Sequence, residues 1–317
     1  MRPSLPSPPR RAVFRNALLA AAASFVPTDP ARAWCGEQVP SWAFYLKWDE
    51  NPSVPFEFNG VKGSCFCRVV GDLAREQKAG VPPILIVGDP GIGYDYMENL
   101  ETLAVSDRRL VEVNFAGSAS TVPDALLSYD ACAAQLQAVV RSLQVQQVHV
   151  IAHGLGAPAA LRFVRLAPSL TRSLTLVSPY GSAADLRPAM AEAAAAVLKG
   201  GRAVTTALLP TASGNARGSC IADAAQATRG PLVTALLGSG EQLGGERLAA
   251  KLDGLKVPTL LSYGRSSDEI VEVGWPGLPA AVVTQPYEQS GHLPFVEERD
   301  RFLFDYVEFL DKAVCAQ

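Results

Sequence analysis

The sequence predicts an α/β protein, a mostly parallel central sheet flanked by helices and interrupted by a helical cap, and three observations carry that prediction. From Phe66 onward short β-rich runs alternate with longer helical patterns, which is how a doubly wound sheet reads. Runs such as ILIV (Ile84–Val87) and VHVI (Val148–Ile151) offer apolar side chains to both faces, as strands buried between two helix layers must. The alternation breaks between Gly181 and Val257, where Ala-rich stretches are punctuated by Gly and Pro, and resumes at Pro258.

The expected strands are Phe66–Val70, Pro83–Val87, Leu110–Phe115, Gln147–Ala152, Ser173–Ser178, Thr259–Tyr263 and Ala280–Thr284, with helices near Tyr94–Val105, Pro123–Leu143, Leu155–Leu166 and Arg299–Ala313. This pattern divides the chain into an export or targeting segment (1–33), an extension rich in aromatics and cysteine (34–65), a core domain (66–180 and 257–317) and a helical cap (181–256). The cap contains no Phe, Trp, Tyr or His, so a pocket roofed by it is aliphatic.

Of the 317 residues, 48% are hydrophobic and 19% charged, and the formal net charge is -3. A large core is affordable, and nothing here resembles the clustered Lys and Arg that nucleic acid or an anionic membrane would require. A protein partner or a small apolar ligand is the expectation.

No acidic residue precedes Asp29, Arg10 and Arg11 are adjacent, Ala17–Val26 is a ten-residue apolar-rich run, and Ala31-Arg32-Ala33 fits an A-x-A cleavage site before Trp34. These are the features of a signal peptide with a twin-arginine pair, and the run falls well short of the roughly 20 residues that span a bilayer. The Ser/Pro/Arg-rich start favours the thylakoid lumen of a plastid, with a bacterial periplasm as the alternative. Trp34, Trp42, Phe44, Tyr45 and Trp48 follow directly, either packing over the core or forming a docking patch for a membrane-complex partner.

Cys35, Cys65, Cys67, Cys132, Cys220 and Cys315 make an even count in an exported protein, so disulfides among them are expected, with 15 complete pairings open. Cys65 and Cys67 face one side of a strand, and Cys35 is the nearest candidate partner. No second Cys or His pair stands at ligand spacing. Neither a metal nor a cofactor is expected.

The segment VHVIAHGLGA (Val148–Ala157) reads as strand, tight turn and helix, and it resembles the nucleophile elbow G-x-S-x-G of the α/β hydrolases. Three further stretches support the resemblance and fall closest to the proline iminopeptidase branch: VGDPGIG (Val87–Gly93) with Tyr94-Asp95-Tyr96, NFAGSAST (Asn114–Thr121), and SGHLPFVE (Ser290–Glu297). The resemblance covers about Phe66–Gln317 and implies an α/β-hydrolase fold. It puts the nucleophile's position at Gly154, the catalytic histidine at His292, the third triad member at Asp268, and the oxyanion-hole positions at Leu155 and Asp89. Asp268 falls one residue later than the family pattern, four after Gly264.

Gly154 supplies no oxygen for His292 to deprotonate, and Asp89 stands where the family carries glycine, so its charge would oppose a developing oxyanion. His153 adjoins the elbow, where the family's histidine packs beside the site, His149 points from a buried strand as a core histidine, and Ser118 and Ser178, near strand ends, do not have the exposed sharp-turn setting of a nucleophile. The leading expectation is therefore a catalytically inactive member, a pseudoenzyme acting as a binding or accessory subunit. The competing one is a hydrolase of a small ester, amide or peptide that uses His292 and Asp268 with an atypical nucleophile or an activated water.

Overall fold

The computed structural model describes residues 52–317 apart from 91–96, 98–99, 105–107, 119–120, 180–230, 239–247, 266–277 and 316–317. The extension that carries Trp34, Trp42, Phe44, Tyr45, Trp48 and Cys35, Cys220, Asp268 and most of the expected cap lie outside the described residues.

Eight strands form one sheet: β1 (Ser53–Phe58), β2 (Val61–Val70), β3 (Ile84–Val87), β4 (Leu110–Asn114), β5 (Val148–His153), β6 (Thr171–Val177), β7 (Thr259–Gly264) and β8 (Val282–Tyr287). Their order is β1-β2-β4-β3-β5-β6-β7-β8. The β1–β2 and β2–β4 pairs are antiparallel, and the rest are parallel. β6 and β7 are neighbours although residues 178–258 separate them, so the expected cap enters the sheet domain between two adjacent strands. Among the described residues two helices lie within that insertion, α4 (Pro231–Gly238) and α5 (Leu248–Leu252).

The sheet begins earlier than expected, so residues 53–65 belong to the core and not to an extension. Asn59 and Gly60 both take positive φ, 49° and 78°, and close a two-residue hairpin in which Phe58 pairs with Val61. An Asn-Gly pair suits such a primed turn because both positions need left-handed backbone.

Helix α1 (Leu73–Ala79), which no periodicity announced, is capped by the Asp72 carboxylate, which accepts from the N–H groups of Ala74 and Arg75, and ends at Gly80 with φ 65°. Its buried Glu76 accepts from the main-chain N–H of Arg109 at 2.7 Å and from the same residue's guanidinium at 2.9 and 3.2 Å. α2 (Tyr129–Ser142) starts later than the expected Pro123 because Asp124–Leu126 form a separate 3-10 turn and Ser128 caps the helix. α3 (Gly156–Leu166) packs against α2, and α7 (Arg299–Cys315) closes the domain.

The expected disulfides are not formed among the described residues: Cys65, Cys67 and Cys132 are buried free thiols. Alternate residues of an extended strand stand about 6.6 Å apart along it, at the far end of what a disulfide spans. The two β2 thiols instead hydrogen-bond to one another, which lowers the pKa of Cys65 and raises that of Cys67.

His149 on β5 is fully buried, with Nδ1 2.7 Å from the Ser173 hydroxyl. Burial, reinforced by Arg108 and Arg172, pushes its pKa down to about 3. The unfolded chain therefore binds the extra proton first, and stability is complete above about pH 6.5 and lost as pH falls toward 3. Urea unfolding is expected to show a loss of about 1.5 kcal/mol from this residue between pH 6.5 and 5; in His149→Gln the decline becomes shallower by that amount.

Candidate functional site

The chain order reverses between β3 and β5: β4 lies on one side of β3 and β5 on the other. Crevices of open α/β sheets form at such switch points, beyond the carboxyl ends of the strands. Asp89 lies two residues past the end of β3, and Gly154 one residue past the end of β5.

The turn after β5 is sharp. Gly154 takes φ 53°, its N–H donates to Val177 O at 3.1 Å, and its carbonyl accepts from Ala157 N–H at 3.2 Å. At Gly156 a side chain would overlap the carbonyl oxygens of Gly88 and Val87, so this glycine lets the start of α3 touch the loop after β3. That contact brings Asp89 to the turn.

Asp89 is 1% exposed, and its Oδ2 accepts the main-chain N–H of Leu155 at 3.1 Å. A Cβ added to Gly154 would lie 2.5 Å from Oδ2, 3.3 Å from Cγ of the same carboxylate and 3.3 Å from Nε2 of His292. The Asp89 carboxylate thus fills the space into which a side chain at 154 would project. It also takes up the donor that the resemblance assigns to an oxyanion.

His292 is held by its loop. Glu298 Oε2 accepts from Gln289 N–H at 2.9 Å and from the Ser290 hydroxyl at 2.8 Å, and Glu297 Oε2 accepts from Gly291 N–H at 2.6 Å. The short helix α6 (Pro294–Glu297) follows at once. Gly264, at the end of β7, abuts the carbonyls of Ser290 and Gly291 so closely that a Cβ would overlap both.

His153, the last residue of β5, is fully buried against this loop. Its Nε2 lies 3.0 Å from the carbonyl of His292, and the two rings meet edge-on with centroids 4.3 Å apart. A carbonyl only accepts, so Nε2 carries the proton and Nδ1 the lone pair. Burial, then the neighbouring His292, hold the pKa of His153 well below the usual histidine value.

Of the residues picked out in the sequence, Gly154, Leu155, Asp89, His153 and His292 therefore converge, while Asp268 lies outside the described residues. Ser118 lines a cavity of about 10 Å³ beside Asp89, with Gly88, Glu112 and Asn114. Ser178, at the end of β6, has φ 42° and a buried hydroxyl. Two residues were given no role of their own, Glu297, quoted only as the end of the SGHLPFVE motif, and Glu298; their carboxylates pin the loop. Their position directly after the apolar LPFV stretch was the available signal.

Residues 63–305 match the model of the alpha/beta hydrolase family. The chain belongs to that family. Its fold is similar to carboxylesterase CesB from Bacillus subtilis (TM-score 0.62, 14% identity, 94% of this chain and 97% of that one). It is likewise similar to the esterase RhEst1 from Rhodococcus sp. ECU1013 (0.63, 19%, 84% and 98%) and to a bromoperoxidase from Bacillus anthracis (0.65, 13%, 82% and 100%). At these identities the likeness is one of fold. No curated protein matches the chain.

The closeness of Gly264 to the histidine loop has a direct consequence. Gly264→Ala is expected to lower unfolding free energy by about 2–4 kcal/mol, because main-chain atoms and not flexible side chains must yield. Thermal unfolding of the variant beside wild type checks it.

Proposed function

We propose that this α/β-hydrolase-family chain does not act as a serine hydrolase and serves as a binding or accessory protein. The observation that carries the reading is the Asp89 carboxylate, which stands where the nucleophile's side chain would project and occupies the Leu155 N–H. A serine hydrolase needs a hydroxyl beside the histidine and an open pair of N–H donors. Here Gly154 offers no hydroxyl and one donor is taken by the Asp89 side chain. The described cavity beside Asp89, about 10 Å³, has room for about one water.

The motifs at Val87–Tyr96, Asn114–Thr121 and Ser290–Glu297 support descent from the proline iminopeptidase branch. The composition of residues 1–33 supports export, with the thylakoid lumen ahead of the periplasm, and the aromatic segment Trp34–Trp48 supports docking to a protein partner there. A second reading, hydrolysis by His292 with an atypical nucleophile, draws on the nearness of its Nε2 to the same point.

Restoring serine alone is not expected to restore chemistry, because its Cβ meets Asp89 at 2.5 Å. With a fluorophosphonate probe and a panel of aryl esters, wild type and Gly154→Ser remain inert, whereas Gly154→Ser combined with Asp89→Gly is labelled. Turnover by wild type that disappears in His292→Ala would select the second reading.

A further inference from the structure

One carboxylate oxygen of Asp89 and one ring nitrogen each of His153 and His292 all lie within 4.8 Å of one another, and all three side chains are buried. Two imidazoles and a carboxylate form the donor set of N/O-preferring transition metals; Mg²⁺ and Ca²⁺ instead favour all-oxygen shells. Tetrahedral zinc with bonds of about 2.0–2.2 Å holds its ligand atoms about 3.3 Å apart, so side-chain rotations of about 1 Å bring this trio to bonding distance.

The surroundings orient the donors as a metal site requires. Nε2 of His153 donates to the His292 carbonyl at 3.0 Å, and ligation through Nδ1 leaves that contact in place. A ring N–H anchored on a main-chain carbonyl is a usual outer support of a ligating histidine. Leu155 N–H steadies the Asp89 carboxylate in the same manner at 3.1 Å. With glycine at 154 no side chain displaces the carboxylate or the imidazole, whereas a Cβ there would sit 2.5 Å from Oδ2 and 3.3 Å from Nε2. A dication also offsets the cost of burying a carboxylate at this depth.

We propose that Asp89, His153 and His292 form a binding site for a divalent transition-metal ion of the Zn²⁺ type, beside the glycine turn at position 154. Three protein ligands leave a fourth position to water or to a ligand's donor atom, and the one-water cavity lies beside Asp89. The site uses the same placement of Asp89 as the proposed function but does not depend on hydrolase inactivity. Probe labelling tests the latter, and metal titration tests the former.

Chelator-treated full-length protein is titrated with Zn²⁺ by calorimetry and with Co²⁺ by visible absorption. The expected result is one equivalent bound with a dissociation constant at or below about 1 μM, unaffected by excess Mg²⁺. Asp89→Gly, which installs the family's residue and whose folding is checked by circular dichroism, is expected to weaken binding by at least about 100-fold. The Cys65→Ser/Cys67→Ser variant binds as wild type does. Absence of Zn²⁺ binding at micromolar concentrations, unchanged affinity in Asp89→Gly, or a thiolate-to-cobalt charge-transfer band would each overturn the assignment.

Discussion

The hydrogen bond from Leu155 N–H to the buried Asp89 carboxylate is the interaction on which the arrangement of the crevice depends. It joins the loop after β3 to the turn after β5 across the switch point of the sheet. Glycine at 154 and aspartate at 89 are physically one arrangement. The absence of a side chain at the turn leaves a buried space, and the carboxylate from the adjacent loop occupies it. Either change alone leaves a hole or a clash.

Glycines set the distances that make this contact possible. Gly156 brings the start of α3 against the carbonyls of Val87 and Gly88, and Gly264 brings the end of β7 against the histidine loop. Glu297 and Glu298 then fix that loop through main-chain N–H groups and a serine hydroxyl. The result is a cluster of Asp89, His153 and His292 that is rigidly supported and buried.

Much of this was legible in the sequence because it rests on local pattern. The apolar strands Ile84–Val87 and Val148–His153 and the turn at Gly154 announce the parallel sheet and the elbow. β1 was missed although Asn59-Gly60 is a strong hairpin signal and its residues alternate exposed and buried, because Pro55 within the run is tolerated only in an edge strand. α1 was missed because seven residues give too little periodicity, and its anchor, Glu76 on Arg109, is a contact across 33 positions. The direction of the Asp89 side chain could not be read from the chain at all. Opposition to an oxyanion follows from its charge, but its entry into the space at Gly154 depends on the approach of two loops set by Gly156. The cysteines misled for a related reason: an even count suggests pairing, whereas strand geometry holds Cys65 and Cys67 as adjacent thiols.

The central claim is that Asp89 and Gly154 are energetically one unit, and a double-mutant cycle in unfolding free energy measures this most directly. The account predicts that Gly154→Ser is markedly destabilising in the native background and much less so when Asp89 is glycine, with a coupling of about 1–3 kcal/mol. Additive effects of the two substitutions, within about 0.5 kcal/mol, would contradict it and would mean that the carboxylate does not occupy the position at 154.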